Sequence, residues 1–258
     1  MEISLAGRTA IVTGASKGLG HAIADRFVQC GANVVIAART EAPLQAAREM
    51  LSRRGPGNVH AHACDVSTAD GVRGLYDDAM AAFGHIDIVV NNAGTSAARP
   101  FNDVTDQDWQ EDLDLKLFAA IRLARLVWPQ MKARQWGRIV NVLNIGAKAP
   151  GAKSVPTSVS RAAGMALTKA LSAEGAPDNI LVNALLVGRI ESDQWVRRAD
   201  ARGVPVDTVL REMAAGIPLG RVGRADEFAS AACFLASDWA SYITGTAINV
   251  DGGASPVV

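Results

Sequence analysis

The amino-acid sequence predicts an α/β fold, with one doubly wound parallel β-sheet and helices on both of its faces. Short β-branched segments alternate with helical segments along all 258 residues. Most of the β-branched segments are apolar throughout, as strands are when both faces of the sheet are covered. Parallel strands also need crossover connections, which helices provide. No linker rich in Pro, Ser or Gly and no internal repeat divides the chain, so we expect a single domain over residues 1–258.

Each element is predicted from its apolar pattern and from the residues that start or end it. Strands are predicted at Arg8–Thr13, Asn33–Ala38, Asn58–Cys64, Ile86–Asn91, Arg138–Leu143, Ile180–Leu185 and Thr246–Val250. Helices are predicted at Leu19–Cys30, Ala42–Arg54, Ser67–Gly84, Thr105–Gln135, Thr157–Glu174 and Ala225–Ser237. Ser67 with Asp70 three residues later is typical of a capping box at a helix start. Residues 189–216 are rich in charge and have the weakest pattern, so we expect them to form a lid over the site.

Composition and charge exclude several kinds of partner. The chain has 26 basic and 26 acidic residues, so it lacks the positive field that attracts nucleic acids or anionic membranes. The longest uncharged apolar segment, residues 180–188, is far shorter than the roughly 20 residues of a membrane-spanning helix. Residues 1–8 lack a basic start and a long apolar centre, so we expect no export signal and a cytoplasmic protein.

The cysteines and histidines indicate neither a disulfide framework nor a metal site. Cys30, Cys64 and Cys233 are an odd number of widely spaced residues, which suits reduced thiols. His60 and His62 would share one face of a strand, but no carboxylate or thiolate cluster accompanies them in the sequence. No metal is therefore predicted.

A glycine-rich segment directly follows the first predicted strand: Thr13-Gly-Ala-Ser-Lys-Gly-Leu-Gly20. Glycines at a strand-to-helix turn let the main chain approach a pyrophosphate, and the helix N-terminus offers N–H groups to it. This position predicts a dinucleotide site in a Rossmann fold.

The second strand ends without the acidic residue that binds a ribose 2′-hydroxyl. Arg39 and Lys17 suit a 2′-phosphate, so NADP(H) is favoured over NAD(H); the alternative is that both are solvated surface cations.

With these segments, several others resemble the short-chain dehydrogenase/reductase family over essentially the whole chain. They are Asp65-Val66, Asn91-Asn-Ala-Gly94, Pro218-Leu-Gly-Arg-Val-Gly223, Phe234-Leu-Ala-Ser-Asp238, Tyr242-Ile-Thr-Gly245 and Val250-Asp-Gly-Gly253. The resemblance implies an oxidoreductase, a homotetramer, and a coenzyme site in which residues 65–66 bracket adenine, 92–94 support a ribose and 188–192 pass beside the nicotinamide. The expected coenzyme-binding residues are Gly14, Ser16, Lys17, Gly18, Leu19, Gly20, Arg39, Asp65, Val66, Asn92, Ala93, Gly94, Arg161, Gly188, Ile190 and Ser192.

The chain departs from this family at the catalytic residues. The family uses an Asn-Ser-Tyr-Lys tetrad in which tyrosine and lysine are four residues apart. This chain has Asn144, Thr157 and Arg161 at the serine, tyrosine and lysine positions, and Lys116 at the asparagine position. Threonine is a far weaker acid than tyrosine, and a guanidinium does not exchange protons near neutral pH. Asn144 can still polarise a carbonyl group by donating a hydrogen bond.

Lys116 is the predicted substitute proton donor. Desolvation, or a neighbouring cation such as Arg161, lowers the pKa of an ammonium group toward the range in which it exchanges protons. The alternative is a purely structural residue that pairs with Asp112 or Asp114.

Three functions remain open. The first is an NADP-dependent oxidoreductase acting on a carbonyl compound or an alcohol through this altered set of residues. The second is a nucleotide-binding protein without catalysis, such as a sensor or scaffold. The third is a non-redox enzyme on the same fold, as in halohydrin dehalogenases, but those proteins lose the coenzyme glycines that this chain keeps. An anionic substrate, such as a carboxylate or a phosphate ester, is favoured if the cations expected near the substrate cleft line it; these are Lys148, Lys153 and Arg189, with Lys116 and Arg161. Solvated loop cations are an equal alternative.

Overall fold

The computed structural model describes residues 3–258. For residues 193–197 it describes the backbone, and of the side chains only that of Trp195. Residues 1 and 2, which belong to the segment interpreted as lacking an export signal, lie outside the described residues. None of the described helices is long and apolar enough to cross a membrane.

The seven predicted strands form one fully parallel sheet. They are β1 (Thr9–Thr13), β2 (Asn33–Ala38), β3 (Val59–Ala63), β4 (Ile88–Asn91), β5 (Gly137–Asn144), β6 (Ile180–Val187) and β7 (Ala247–Val250). Their order across the sheet is β3-β2-β1-β4-β5-β6-β7, and every neighbouring pair is parallel. This confirms the predicted doubly wound α/β fold. The order reverses between β1 and β4, and ligands of such sheets bind beside that point, at the carboxyl ends of the strands.

Helices cover both faces of the sheet. They are α1 (Gly18–Gln29), α2 (Glu41–Leu51), α3 (Ala69–Phe83), α4 (Asp106–Leu113), α5 (Ala119–Ala133), α6 (Thr157–Gly175), α7 (Asp193–Arg202), α8 (Val206–Ala214) and α9 (Ala225–Ala236). One core joins the sheet to α1, α2 and α9, with Phe27 and Phe228 fully buried at its centre. A second core joins the opposite face to α3 and α5 through residues such as Leu75 and Leu123. The two cores hold the carboxyl ends of the strands in register.

The start of α3 corrects the sequence prediction. Thr68, not Ser67, caps the helix, because its hydroxyl oxygen accepts a hydrogen bond from the Gly71 N–H at 3.0 Å. The Ser67 N–H instead donates to the Asp65 carboxylate at 2.9 Å. Ser and Thr both serve as helix caps, and the turn made by Asp65 selects Thr68 here although Ser is usually the better cap.

The predicted long helix at residues 105–135 is also corrected, because a π-helical turn at Asp114–Phe118 separates α4 from α5. Thr105 begins α4 with a capping box to Asp108. A π turn inserts one extra residue, which rotates the side chains that follow; such turns are frequent at functional sites. Lys116 lies in the middle of this turn.

The segment expected to be a lid contains two helices, α7 and α8, rather than irregular chain. They enclose a small apolar cluster of Ala199, Val209, Met213, Ile217 and Val222.

The cysteines are free thiols, as expected. The sequence did not predict that Cys30 and Cys233, which are 203 positions apart, would place their sulfur atoms 3.5 Å from each other.

Candidate functional site

A cleft of about 640 Å³ opens at the carboxyl ends of the strands. Every coenzyme-binding residue expected from the sequence lines it, except Gly18 and Gly20. Asn144, Thr157 and Arg161 line it as well, whereas Lys116 does not. The cleft therefore brings the separate motifs of the sequence together and leaves Lys116 behind its wall.

The glycine-rich turn forms the floor of the cleft between β1 and α1. Gly14 and Gly18 have φ angles of +67° and +61°, which favour glycine. Gly20 is needed for space, since a Cβ atom there would lie 2.3 Å from the Gly14 carbonyl oxygen and 2.6 Å from Asn92 Nδ2. Lys17, at the N-cap of α1, makes no side-chain capping bond. The first N–H groups of α1 thus remain available to an anion.

Asn92 fixes this turn to the end of β4. Its side-chain amide donates to the carbonyl oxygens of Thr13 and Gly14 at 2.8 and 3.1 Å. The Thr13 hydroxyl oxygen accepts from the main-chain N–H groups of Asn92 and Ala93, each at 3.0 Å. Asn92 therefore holds the turn beside the point where the strand order reverses.

Arg39 and Lys17 form the cationic end of the cleft. Both are exposed, and no ion pair occupies either side chain within residues 3–258. Asp65 lies near Arg39; partial burial raises the pKa of its carboxyl, but bonds from Ser67 and the charge of Arg39 outweigh this and leave that pKa below its usual value. This end can bind a charged phosphate without first breaking an internal salt bridge.

Arg161 lies deeper in the cleft, on α6. One guanidinium nitrogen donates to the Val142 carbonyl oxygen at 2.6 Å, and Nε is buried without a partner. Burial, opposed by the charge of Asp112, lowers the pKa of Arg161 to about 10, so the group keeps its charge at neutral pH. A Cβ atom on Gly94 would lie 2.5 Å from this guanidinium, so a larger residue there would displace the end of the Arg161 side chain. Arg161 has unused donor capacity beside the cleft.

Thr157, the first residue of α6, has a hydroxyl group that receives two hydrogen bonds. Its oxygen accepts from the Ala97 N–H at 2.9 Å and from Lys116 Nζ at 3.1 Å. Lys116 Nζ also donates to Asp112 Oδ1, and Asp112 Oδ2 accepts from the Ser160 hydroxyl at 2.6 Å. Four side chains from α4, the π turn and α6 thus form one buried network behind the cleft.

The Lys116 side chain is 0% exposed. Burial is the main cause that lowers the pKa of its ammonium group; Asp112 raises the pKa in part, and Arg161 lowers it further. Lys116 pairs with Asp112, as the structural alternative raised from the sequence expected, and its Nζ also contacts Thr157. Asp114 instead pairs with Arg122 at 3.0 Å.

Asn144 lies at the end of β5 and lines the cleft opposite the coenzyme turn. Its Oδ1 atom is buried without a hydrogen-bond partner among the described residues. The chain has two tyrosines, Tyr76 and Tyr242, and neither lines the cleft. Tyr76 packs against the α3–α5 core, and Tyr242 is fully exposed. No tyrosine elsewhere in the chain therefore substitutes for residue 157.

The cations proposed to bind an anionic substrate lie elsewhere. Lys148 Nζ donates to the Ala247 carbonyl oxygen at 2.7 Å, and Arg189 donates to the Met213 carbonyl oxygen at 2.6 Å. Lys153 is exposed and does not line the cleft. Their positions on loops predicted that they line the cleft, but none of the three does, so these three cations lend no support to an anionic substrate.

Sequence reasoning missed several members of the site. Ser160 and Ser96 carried no spacing signal, and Asp112 was considered only as a structural partner. Trp195 lines the cleft, and its Nε1 donates to the Ile190 carbonyl oxygen at 2.7 Å. The sequence offered one signal for Trp195, because it is an aromatic residue within the segment expected to form a lid.

The histidine pair has a partner that the sequence did not reveal. His60 Nε2 and His62 Nδ1 lie 2.7 and 2.9 Å from the same carboxylate oxygen, Asp78 Oδ2. Across residues 3–258, no group of three His, Cys, Asp or Glu side chains is arranged to hold a metal ion. The two rings share one face of β3, as the alternation of a strand requires.

Comparisons with known proteins agree with this geometry. A family model described as enoyl-(acyl carrier protein) reductase matches residues 14–255. A 3-oxoacyl-(acyl-carrier-protein) reductase FabG of Aquifex aeolicus is 32% identical over 98% of this chain and 99% of that protein. L-fucose dehydrogenase of Oryctolagus cuniculus is 36% identical over 96% of this chain and 85% of that protein.

Two solved structures are also similar. L-sorbose reductase of Gluconobacter frateurii, complexed with NADPH and L-sorbose, has a TM-score of 0.96 and 34% identity and covers both chains fully. An NADPH-bound short-chain oxidoreductase of Pseudomonas aeruginosa, described as containing an atypical catalytic center, has a TM-score of 0.92 and 36% identity over 99% of this chain and 100% of that chain. The chain belongs to the short-chain dehydrogenase/reductase family of NAD(P)-dependent oxidoreductases.

Proposed function

We propose that this protein is an NADP(H)-dependent oxidoreductase that acts on the carbonyl or alcohol group of a small molecule without a catalytic tyrosine. The observation that carries the proposal is the continuous cleft. It joins two cations, Lys17 and Arg39, which have no ion pair among the described residues, to Asn144 and Thr157 at the other end. The NADPH-bound relatives support the same class of coenzyme.

The residues present fit NADP(H). The turn at residues 14–20 has no room for a Cβ atom at Gly14 or Gly20, and the free N–H groups of α1 suit a pyrophosphate. Arg39 can hold a 2′-phosphate in bidentate fashion, with Lys17 beside it. When bound, the coenzyme supplies the hydride chemistry.

The other end of the cleft contributes polar groups for the substrate. Asn144 offers an amide that can donate to a carbonyl oxygen, and Thr157 offers a hydroxyl. Arg161 contributes a fixed positive charge that favours negative charge forming on the substrate oxygen. Its unused donors also suit a coenzyme ribose hydroxyl.

The homotetramer expected from the family stays a prediction, which light scattering tests.

Coenzyme titrations followed by nicotinamide fluorescence test the proposal. Wild-type protein should bind NADPH more tightly than NADH. Arg39→Leu should weaken NADPH binding by about 10- to 100-fold, the value of a charge-assisted hydrogen bond, and leave NADH binding nearly unchanged. Arg48→Leu, at an exposed arginine on α2, is the matched control. Equal weakening of both coenzymes by Arg39→Leu would contradict the 2′-phosphate assignment.

A second candidate function is a nucleotide-binding protein without catalysis, and the absence of a tyrosine from the described cleft favours it. NADPH oxidation at 340 nm with a panel of ketones, including L-sorbose, and with 9,10-phenanthrenequinone separates the two functions. Reduction of any panel member supports the oxidoreductase. Binding of NADPH without reduction of any member supports the silent protein. Failure to bind either coenzyme supports a non-redox enzyme.

A further inference from the structure

We infer that Thr157 and Lys116 form a two-step proton relay, in which the Thr157 hydroxyl passes its hydrogen to the substrate oxygen and Lys116 replaces it from behind the cleft wall. This inference rests on the proposed function and names the group that substitutes for the missing tyrosine. The juxtaposition is not encoded locally, since the two residues are 41 positions apart.

The hydrogen bonds of Thr157 determine the direction in which its own hydrogen points. A hydroxyl oxygen has two acceptor lone pairs. The Ala97 N–H and Lys116 Nζ fill both, at 2.9 and 3.1 Å. Within the described residues no acceptor receives the Thr157 hydrogen, and the residue lines the cleft. The hydrogen is therefore left for an oxygen atom of the substrate.

Lys116 has no other route to the substrate. Its side chain is fully buried and does not line the cleft, so its ammonium hydrogens reach only Asp112 and Thr157 among the described partners. Asp112 compensates the buried charge, and Ser160 holds the second carboxylate oxygen at 2.6 Å. Asp112 and Ser160 are positioning residues, because they act only by keeping the ammonium group against Thr157.

The step balances without a further reactant. In the direction of reduction, a bound NADPH would supply hydride to the carbonyl carbon, and the π-electron pair of the C=O bond would move to oxygen. That oxygen takes the hydrogen of Thr157 as the hydroxyl O–H bond breaks. The Thr157 oxygen takes a proton from Lys116 Nζ, which becomes a neutral amine. After the product leaves, water in the cleft returns a proton to Lys116 through the same hydroxyl.

The charged groups that face Lys116 in the described part of the chain are Asp112 on α4 and Arg161 on α6. Burial lowers the pKa of the ammonium below its ordinary value of 10.5, which eases proton release. Reduction needs the protonated form, so kcat should fall as pH rises through this lowered pKa. Asp112→Asn removes the one anion that raises the pKa of Lys116, and the fall should move to lower pH.

The kinetic test uses NADPH with aliphatic ketones and with 9,10-phenanthrenequinone. Thr157→Val, and the charge-neutral pair Lys116→Met with Asp112→Asn, should each lower kcat for the ketones by about 10²- to 10⁴-fold, the usual contribution of general acid catalysis. The quinone should lose less, because its reduced oxygens are weaker bases and need less proton transfer. Thr157→Ser should keep kcat within about 10-fold of wild type, since the hydroxyl is retained.

Thr168→Val is the matched control for Thr157→Val. Thr168 is a buried threonine on the same helix, and its hydroxyl bonds Asn141 and Gly164 away from the cleft. Thr168→Val should lower the free energy of unfolding and leave the pH dependence of kcat unchanged. The charge-neutral double variant avoids an unpaired buried charge, so it keeps the test valid if Lys116→Met alone fails to fold.

A second measurement does not depend on turnover. The 13Cε signal of Lys116, identified by its absence from the double variant, should titrate below 10.5 in the wild-type protein and lower still in Asp112→Asn. An ordinary pKa for Lys116 overturns the relay. The relay is also overturned if Thr157→Val and the double variant both reduce ketones as fast as the wild-type protein. It is overturned as well if the wild-type protein reduces the quinone but no ketone. Failure to bind NADPH instead overturns the proposed function itself.

Discussion

The two ends of the cleft use positive charge in opposite ways. At the coenzyme end, Lys17 and Arg39 are exposed and unpaired among the described residues, so their charges are available to a ligand from solvent. At the catalytic end, Lys116 is buried and neutralised by Asp112, and among the described residues it contacts the cleft lining through Thr157. An exposed cation binds phosphate at little cost, whereas a buried cation needs a partner because desolvation of charge is expensive. The difference suits the two proposed roles, coenzyme binding at one end and proton transfer at the other.

The largest expected effect comes from breaking the buried pair. Asp112→Leu leaves the Lys116 ammonium without its carboxylate and should lower the free energy of unfolding by about 3–5 kcal/mol. Chemical denaturation measures this loss. The control is Asp226→Leu, which breaks the exposed Arg224–Asp226 pair and should cost at most about 1 kcal/mol. Similar losses in the two variants would show that burial does not distinguish the catalytic end.

A smaller effect is expected from filling the coenzyme turn. Alanine usually stabilises a helix relative to glycine by roughly 1 kcal/mol. Gly20→Ala should do the reverse and cost about 1–3 kcal/mol, because its Cβ atom overlaps the Gly14 carbonyl oxygen and the Asn92 amide. NADPH binding should weaken as well. Gly74→Ala on α3, where the nearest atom would be 3.5 Å away, is the control and should not lose stability. A stabilised Gly20→Ala protein would show that the turn has spare room.

The smallest expected effect is a difference between the two ends of the cleft in their sensitivity to salt. Exposed charges are screened by ions, whereas buried pairs are screened much less. Raising NaCl from about 0.05 to 0.5 M should weaken NADPH binding a few-fold in the wild-type protein and less in Arg39→Leu. The pH at which kcat falls should stay in place over the same range. Movement of that pH with salt would indicate that Lys116 is open to solvent.

The departures from the predicted elements concern choices between neighbouring residues and small backbone changes. Ser67 and Thr68 both suit a helix cap, and only the turn around Asp65 selects Thr68. The π turn at residues 114–118 has no sequence signature that distinguishes it from an uninterrupted helix. It nevertheless belongs to the site, because it carries Lys116.

The sequence by itself determined the parallel sheet and the glycine-rich turn with Arg39 at the proposed coenzyme end of the cleft. That part is local: strand, glycine turn and helix follow one another along the chain, and Arg39 comes directly after the next strand. Only the tertiary structure decided the catalytic end. Lys116 meets Thr157 across 41 positions and Asp112 meets Ser160 across 48, because the π turn and the end of α4 pack against α6 behind the cleft. Lys148 and Arg189 are likewise held by partners distant in sequence, the carbonyl oxygens of Ala247 and Met213, and neither lines the cleft.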